Sequence, residues 1–248
     1  MYKFNDLYMY LVYQPKVDLN TLEIVGLEAL IRFFDPISQK ILNTEDIINL
    51  ITDINDMIEL TNYVFDSVIS DIKMLDKLNC NINISINMSS KEICNKNFVV
   101  WIDKKLRKYK EYIDRIEIEI TEKYEVKDET VMKNRINLLR DLGFFLSIDD
   151  LGSGFNQIEM IKKYDVDLIK VDKSLVNKFD DRNKELKYIV STSKKKDIKL
   201  LIEGIECEKD LKKFLDLGFE IGQGYYFYKP MKLNDVLEKT NLLKESSL

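Results

Sequence analysis

The stretch RDLGFFLSIDD (Arg140–Asp150) contains one complete repeating unit of the chain, in which a helix end leads through a glycine into a strand. The apolar periodicity over residues 129–142 predicts a helix, and Gly143 is expected to end it in the left-handed conformation that glycine adopts easily. The apolar run Phe144–Asp150 then predicts a buried parallel strand with two acidic residues at its carboxyl end.

The same unit recurs elsewhere. Asp216–Phe219 (DLGF) repeats the junction, and an apolar stripe over residues 58–78 predicts another helix. Five apolar runs end in a polar residue: Cys80–Asn87, Arg115–Glu119, Phe144–Asp150, Val166–Lys170 and Lys199–Glu203. Repeated βα units favour a parallel sheet, and in α/β barrels the chemistry lies at the carboxyl ends of the strands. These polar residues are therefore expected at one end of the molecule.

The first 34 residues follow a different pattern. Two strand-like runs, Met9–Val17 and Ile24–Phe34, are separated by the turn-like residues 18–21, and the second run carries Glu28. Because this connection is too short for a parallel crossover, it predicts an antiparallel hairpin at the start of the sheet.

Length and charge limit the fold and its partners. The 248 residues suit one barrel-sized domain or two small ones, and we expect a single domain over 1–248 with a core of about 8–240. A net charge of −5 offers no basic surplus for a nucleic acid polymer or an anionic membrane surface. Lys-rich segments such as Lys104–Lys110 are expected to form solvated helix faces.

Cysteine usage and hydropathy indicate the compartment. Cys80, Cys94 and Cys207 are odd in number and never spaced as CxxC, which predicts reduced thiols in a cytoplasmic protein. No apolar stretch approaches the length of a transmembrane helix, so we expect this chain to make no membrane contact.

The absence of histidine narrows the chemistry further. It excludes Ser-His-Asp and Cys-His nucleophile arrangements, histidine-based zinc sites and a histidine general base. Carboxylates and one amide at the strand ends would form a site made of oxygen ligands, which favours Mg²⁺, Mn²⁺ or Ca²⁺.

Taken in order, the polar motifs resemble those of the EAL domain family of cyclic-di-GMP phosphodiesterases. The signature triplet is Glu28-Ala29-Leu30, within VGLEALIRF. The other matching segments are Tyr13-Gln14-Pro15, SINMS (85–89), EITE (119–122), SIDDLGSG (147–154), IKVD (169–172), IEGIE (202–206) and QGYYFYKP (223–230). Each motif is weak alone, whereas the ordered set over residues 13–230 is specific.

The resemblance implies both a fold and a reaction. The implied fold class is α/β, a TIM-like (β/α)8 barrel with an antiparallel first strand. The implied reaction is the hydrolysis of one phosphodiester bond of cyclic di-GMP to give linear 5′-pGpG. The implied cofactors are two divalent cations, Mg²⁺ or Mn²⁺. Ca²⁺ is expected to inhibit, because it accepts looser coordination and is a poorer Lewis acid.

Residue roles follow motif by motif from the resemblance. The implied ligands of a first metal are Glu28, Asn87, Glu119 and Asp149, and those around a second are Asp149, Asp150 and Glu203. Lys170 resembles the lysine that orients the attacking water, and Asp172 and Gln223 resemble its supports. Arg32 resembles the residue that grips a substrate phosphate. The implied nucleotide pocket includes Gln14, Leu30, Glu206 and Tyr225.

The resemblance also bears on the loop after the acid pair and on assembly. Glu122 is implied to anchor the loop after Asp150, which adjoins a dimer interface in this family, so a homodimer is expected. Leu151 stands where the family usually has Phe. Fusion to sensory or GGDEF domains in a longer signalling protein is also expected.

The same residues also allow other interpretations. Asn87 alone would cap a helix beginning at Ser89 or Ser90, Glu119 would face solvent, and Lys170 would form a salt bridge at the barrel rim. The aromatic residues Tyr225, Tyr226 and Phe227 favour a core position over a stacking surface. The alternative functions are a cyclic-di-GMP receptor that does not hydrolyse its ligand and a dimerisation scaffold for another domain.

Overall fold

Eight strands close into a barrel. The computed structural model describes residues 1–121, 126, 128–151, 161–177 and 184–239, without the side chains of Asp150, Leu151, Asn177, Lys184 and Glu185. The described strands are β1 (Tyr2–Phe4), β2 (Leu7–Asp18), β3 (Ile24–Asp35), β4 (Lys40–Leu42), β5 (Asn83–Ser89), β6 (Ile116–Thr121), β7 (Phe145–Leu151), β8 (Leu168–Asp172), β9 (Lys199–Glu203) and β10 (Ile221–Gly222). The barrel consists of β2, β3 and β5–β10, closed by pairing of β2 with both β3 and β10.

Helices connect most of the parallel strands. The described α-helices are Thr44–Leu50, Ile54–Lys77, Ser90–Ile93, Phe98–Tyr109, Glu129–Asp141, Lys173–Asn177, Lys184–Lys196, Glu208–Asp216 and Leu233–Lys239, and Lys110–Arg115 is a 3₁₀ helix. The helices predicted over 58–78 and 129–142 are both confirmed. Gly143 and Gly218 follow their helices with φ of +94° and +89°, as the repeated DLGF junction predicts.

The antiparallel first strand is confirmed. β2 runs antiparallel to β3 and to β10, while β3 and β5–β10 pair in parallel. The connecting turn is stabilised by Asp18, whose Oδ1 accepts hydrogen bonds from the backbone N–H groups of Asn20 and Thr21. The TIM-like (β/α)8 barrel expected from the sequence is therefore the observed fold.

The β2–β3 hairpin extends beyond the barrel at its carboxyl end. The pairing of β3 with β5 ends at Ala29, whereas the pairing of β3 with β2 continues to Phe34. Outside the barrel, β1 and β4 pair with the two hairpin strands. The hairpin therefore presents one face over the mouth of the barrel.

Apolar burial is divided between two layers. The large core lies between the helices and the outer face of the barrel, where Ile116, Ile118 and Ile120 of β6 are all fully buried. Inside the barrel, Leu168, Leu201 and Ile221 form a small apolar floor with Phe145 packed against it. Above this floor, the interior is lined by charged and polar side chains.

Three sequence expectations about the surface and the cysteines can be compared with the structure. Lys105 is buried at 8% exposure and pairs with Asp66, so the expectation of a uniformly solvated face over Lys104–Lys110 is wrong at that position. Cys80, Cys94 and Cys207 are free thiols. None of the helices in the described ranges is long and apolar enough to cross a membrane.

Candidate active site

The candidate site is centred on the ammonium group of Lys170, near the carboxyl end of β8. Lys170 is 1% exposed, although lysine is rarely buried. Its Nζ contacts one carboxylate from each of four other strands: Asp149 Oδ1 at 2.7 Å, Glu119 Oε2 at 2.8 Å, Glu203 Oε1 at 3.0 Å and Glu28 Oε2 at 3.4 Å. Desolvation of the ammonium is outweighed by these carboxylates, beginning with Asp149, and the pKa of Lys170 lies well above its ordinary value.

Glu28 accepts a hydrogen bond on each of its carboxylate oxygens. Its Oε1 accepts a hydrogen bond from Asn87 Nδ2 at 3.1 Å, and its Oε2 accepts one from Gln223 Nε2 at 2.7 Å. Burial, followed by the negative charge of Glu119, raises the pKa of Glu28 to about 6. Glu28, Asn87 and Gln223 come from β3, from β5 and from the residue after β10, so barrel closure brings them together.

Glu119 is the most tightly held carboxylate of the site. It is fully buried, and it accepts a hydrogen bond from Lys170 on Oε2 and one from Lys16 on Oε1, the latter at 2.7 Å. Burial alone would raise its pKa, but the two ammonium groups outweigh burial and hold the pKa of Glu119 well below its ordinary value. The interpretation of Glu119 as a solvent-facing strand residue is therefore wrong.

Lys16 and Glu117 belong to the same buried cluster and were not identified from the sequence. Lys16 is 3% exposed and pairs with Glu117 at 2.8 Å as well as with Glu119. The signal that could have found them is the period of two along a strand. Lys16 follows Gln14 by two residues and Glu117 precedes Glu119 by two, so each shares a face with a predicted site residue.

The remaining described carboxylates are Asp149 and Glu203. Asp149 is 8% exposed, and its Oδ1 is close to Lys170 without the alignment of a hydrogen bond. Glu203 lies at the end of β9, and its side chain is 19% exposed. Burial raises the pKa of Glu203 to about 8, and the ammonium of Lys170 offsets that shift only in part.

The charge balance of the site leaves room for added cations. Two ammonium groups face the carboxylates Glu28, Glu117, Glu119, Asp149 and Glu203. Such an excess of buried negative charge fits a divalent cation with oxygen ligands, because each isolated buried carboxylate is costly. Within the described residues, no three acidic or cysteine side chains are grouped so that they could hold a metal ion. Four carboxylates instead contact the ammonium of Lys170.

Several predicted residues lie outside the described part of the site. Asp150 is within β7, but its side chain is not described, and the same holds for Leu151. Glu122 and residues 152–155, the predicted anchor and most of its loop, are also outside the described residues. Their roles stay predictions.

The predicted substrate residues of the hairpin share one face. Directly opposed pairs on β2 and β3 are Gln14 with Glu28, Val12 with Leu30, and Tyr10 with Arg32. Since residues two apart on a strand face the same side, Leu30 and Arg32 continue the face of Glu28 beyond the barrel rim. Arg32 is half-buried, donates a hydrogen bond to Ile31 O at 2.8 Å, and has a pKa lowered by burial.

The remaining predicted residues lie around the same end of the barrel. Gln14 Nε2 donates to Tyr228 O at 3.2 Å, and Asp172 Oδ1 accepts from the backbone N–H of Ser174 at the start of a helix. Glu206 is exposed and pairs with Lys173 at 2.5 Å. The hydrogen bond of Asp172 is therefore made to the first turn of the helix Lys173–Asn177.

Two further alternatives are resolved. The helix Ser90–Ile93 is capped by Ser89 in a capping box with Glu92, so Asn87 is not its cap. Tyr225 and Tyr226 are 61% and 41% exposed, so the expectation of a core position for these tyrosines is wrong. Phe227 is partly buried against the core, as expected.

The arrangement can be compared with known proteins. The family model of the EAL domain matches residues 5–230, most of the chain. The chain belongs to the EAL domain family. PdeN of Escherichia coli strain K12, named a probable cyclic di-GMP phosphodiesterase, is 25% identical over 230 residues that cover 91% of this chain and 44% of PdeN. PdeA of Borreliella burgdorferi, named a cyclic di-GMP phosphodiesterase, is 29% identical over 82% of this chain and 31% of PdeA.

Solved structures agree with this membership. The EAL enzyme Bd1971, in a form with bound cAMP and cyclic di-GMP, superposes with a TM-score of 0.83 and 28% identity, covering 94% of this chain and 64% of that one. An EAL domain protein of Listeria monocytogenes EGD-e gives a TM-score of 0.79 and 25% identity, covering 94% and 93%. The chain spans less than half the length of PdeN and of PdeA.

Proposed function

We propose that this chain hydrolyses one phosphodiester bond of cyclic di-GMP to give linear 5′-pGpG and requires divalent cations. The observation that carries the proposal is the buried ammonium of Lys170 among carboxylates from β3, β6, β7 and β9. Family membership and the relatives named as cyclic di-GMP phosphodiesterases support cyclic di-GMP as the substrate.

The metal ligands proposed on this basis are Glu28, Asn87, Glu119, Asp149, Asp150 and Glu203. Their oxygen atoms suit Mg²⁺ or Mn²⁺, and the excess of buried negative charge agrees with two cations. When bound, such cations supply a more acidic water and stabilise the leaving oxygen. Lys170 would then hold and orient the water beside Glu28 and Asp149, which its ammonium already contacts.

Substrate binding is assigned to the hairpin face and to the loops around it. Arg32 is proposed to bind a phosphate, because the planar guanidinium matches two phosphate oxygens. Gln14, Leu30, Glu206 and Tyr225 are proposed to line the nucleotide site. Asp172 and Gln223 are proposed as supports, and the support from Gln223 acts through its hydrogen bond to Glu28.

The setting of the activity is also part of the proposal. The cytoplasmic location, the homodimer, the single-domain organisation of residues 1–248 and the fusion to sensory or GGDEF domains stay predictions. So does the role of Glu122 as anchor of the loop after Asp150.

The main alternative is a receptor that binds cyclic di-GMP without hydrolysing it. It is less favoured because every position that the EAL motifs assign to a metal ligand carries an oxygen-bearing side chain in this sequence. Purified protein should be incubated with cyclic di-GMP in Mn²⁺ and in EDTA, with the products separated by chromatography. We expect 5′-pGpG in Mn²⁺ alone. Bound but intact cyclic di-GMP in both samples would support the receptor, and full turnover in EDTA would exclude the metal-dependent reaction.

A further inference from the structure

Lys16 and Glu117 form a buried ion pair beside the proposed metal ligands, yet the proposed chemistry uses neither residue. Lys16 Nζ lies 2.8 Å from Glu117 Oε2 and 2.7 Å from Glu119 Oε1. We propose that Lys16 is a positioning residue that holds one oxygen of Glu119 and thereby fixes the other toward the metal site. This inference rests on the proposed metal-dependent function.

The two carboxylate oxygens of Glu119 accept hydrogen bonds from different lysines. Oε1 accepts from Lys16, while Oε2 accepts from Lys170 at 2.8 Å, on the side where Glu28, Asp149 and Glu203 converge. Two ammonium groups, one on each oxygen, fix the rotation of the carboxylate. Glu119 is therefore held ready to offer a single oxygen to a cation.

Glu117 gives Lys16 its own fixed position. Glu117 and Glu119 lie two residues apart on β6, so they share the interior face, and Lys16 bridges them from β2. Glu117 Oε1 has no hydrogen-bond partner among the described residues, so Lys16 is the contact that compensates this carboxylate. The three side chains form a connected unit in which Lys16 contacts both carboxylates.

The charge of Lys16 and its proposed positioning role predict opposite changes in cation affinity when Lys16 is replaced. Deleting a positive charge close to a cation site favours cation binding, because like charges repel. Losing the group that orients a ligand weakens cation binding, typically by about 10- to 100-fold. Mn²⁺ affinity of the unliganded protein, measured by electron paramagnetic resonance, therefore distinguishes the two roles.

The key variants are Lys16→Met and the double variant Lys16→Met/Glu117→Met. Replacing a buried ion pair by apolar residues of similar size is often neutral for stability, so the double variant is expected to fold as well as wild type. Its Mn²⁺ affinity is nevertheless expected to stay about 10- to 100-fold below wild type. We also expect kcat to fall in both variants while the KM for cyclic di-GMP stays unchanged.

A matched control is Lys105→Met, because Lys105 is also buried and paired with one carboxylate but lies in the helix layer. It is expected to lower stability without changing Mn²⁺ affinity. Wild-type or tighter Mn²⁺ binding by the folded double variant would overturn the positioning role, as would failure of both Lys16 variants to fold. Wild type that neither binds Mn²⁺ nor yields 5′-pGpG would instead overturn the proposed function.

Discussion

At the scale of single residues, Lys170 has an unusual environment for a lysine. A buried ion pair is stable only when its charges are mutually compensated. Here one ammonium contacts four carboxylates, so its removal would leave several buried negative charges without a partner. The same ammonium group is proposed to orient water. Lys170 would then both compensate the buried carboxylates and take part in the reaction.

Lys170→Met is expected to destabilise the metal-free protein by about 3–5 kcal/mol, because it leaves uncompensated buried charge. Mn²⁺ should recover more stability in the variant than in wild type, since cations then replace the lost ammonium. Thermal unfolding in EDTA and in Mn²⁺ measures this, with Lys105→Met as the control. Equal recovery by Mn²⁺ in Lys170→Met and in wild type would contradict the compensating role.

Arg32→Ala tests the substrate role of the hairpin face. Removal of a charged hydrogen-bond donor is expected to raise the KM for cyclic di-GMP by about 10- to 100-fold. Mn²⁺ affinity should not change, because Arg32 lies four residues beyond Glu28 on β3. Steady-state kinetics at varied cyclic di-GMP and at varied Mn²⁺ would measure the KM and the Mn²⁺ dependence. The exposed Arg107→Ala variant is the comparison. An unchanged KM would remove Arg32 from the substrate site.

At the scale of elements, the loops after β9 and β10 fit tightly against each other. A Cβ at Gly224 would lie 2.2 Å from Ile205 O and 2.4 Å from Ile205 N, which only glycine avoids. The same loops are joined by hydrogen bonds from Ile205 N to Gln223 O and from Tyr226 N to Ile205 O. Backbone packing here sets the position of Gln223 and, through it, that of Glu28.

Gly224→Ala is therefore expected to cost about 1–3 kcal/mol of stability and to lower kcat, because Gln223 must shift. Gly143→Ala is the matched control, since its φ of +94° costs about 1–2 kcal/mol with nothing within 4 Å of the added methyl. Gly143 precedes β7 at the opposite end of the barrel, so kcat should stay at its wild-type value. Denaturant unfolding and kinetics of both variants would decide, and equal effects on kcat would refute the link.

Element-level patterns explain what the sequence could predict. The DLGF junctions and apolar runs predict the helices, the parallel strands and the hairpin, because these depend on local periodicity and turn length. The contacts of Lys170 could not be predicted, since four other strands bring their carboxylates to it only after the barrel closes. Lys16 and Glu117 were missed because the period of two places each on the face of a predicted site residue but does not show which partner it meets once the barrel closes.

At the scale of the whole molecule, the excess negative charge inside the barrel should couple cation binding to stability. A ligand that binds only the folded state stabilises it by about 2.7 kcal/mol at 100 times its dissociation constant. The proposed site would therefore make the thermal stability of the entire barrel depend on divalent cations. This dependence is separate from catalysis, because it needs no substrate.

Mn²⁺ and Ca²⁺ are both expected to raise the unfolding temperature, whereas only Mn²⁺ should support turnover. Ca²⁺ accepts oxygen ligands at longer distances and polarises water less. Thermal unfolding in each cation, combined with 5′-pGpG formation in the same buffers, would show this separation. Turnover in Ca²⁺ equal to that in Mn²⁺ would refute the expected inhibition.

Anomalous X-ray scattering from crystals containing Mn²⁺ would show whether the barrel interior binds divalent cations. We expect anomalous peaks next to the carboxylate oxygens of Glu28, Glu119 and Asp149, on the side that faces Lys170. Crystals that bind Mn²⁺ only elsewhere on the molecule, with Lys170 still contacting all four carboxylates, would contradict this expectation.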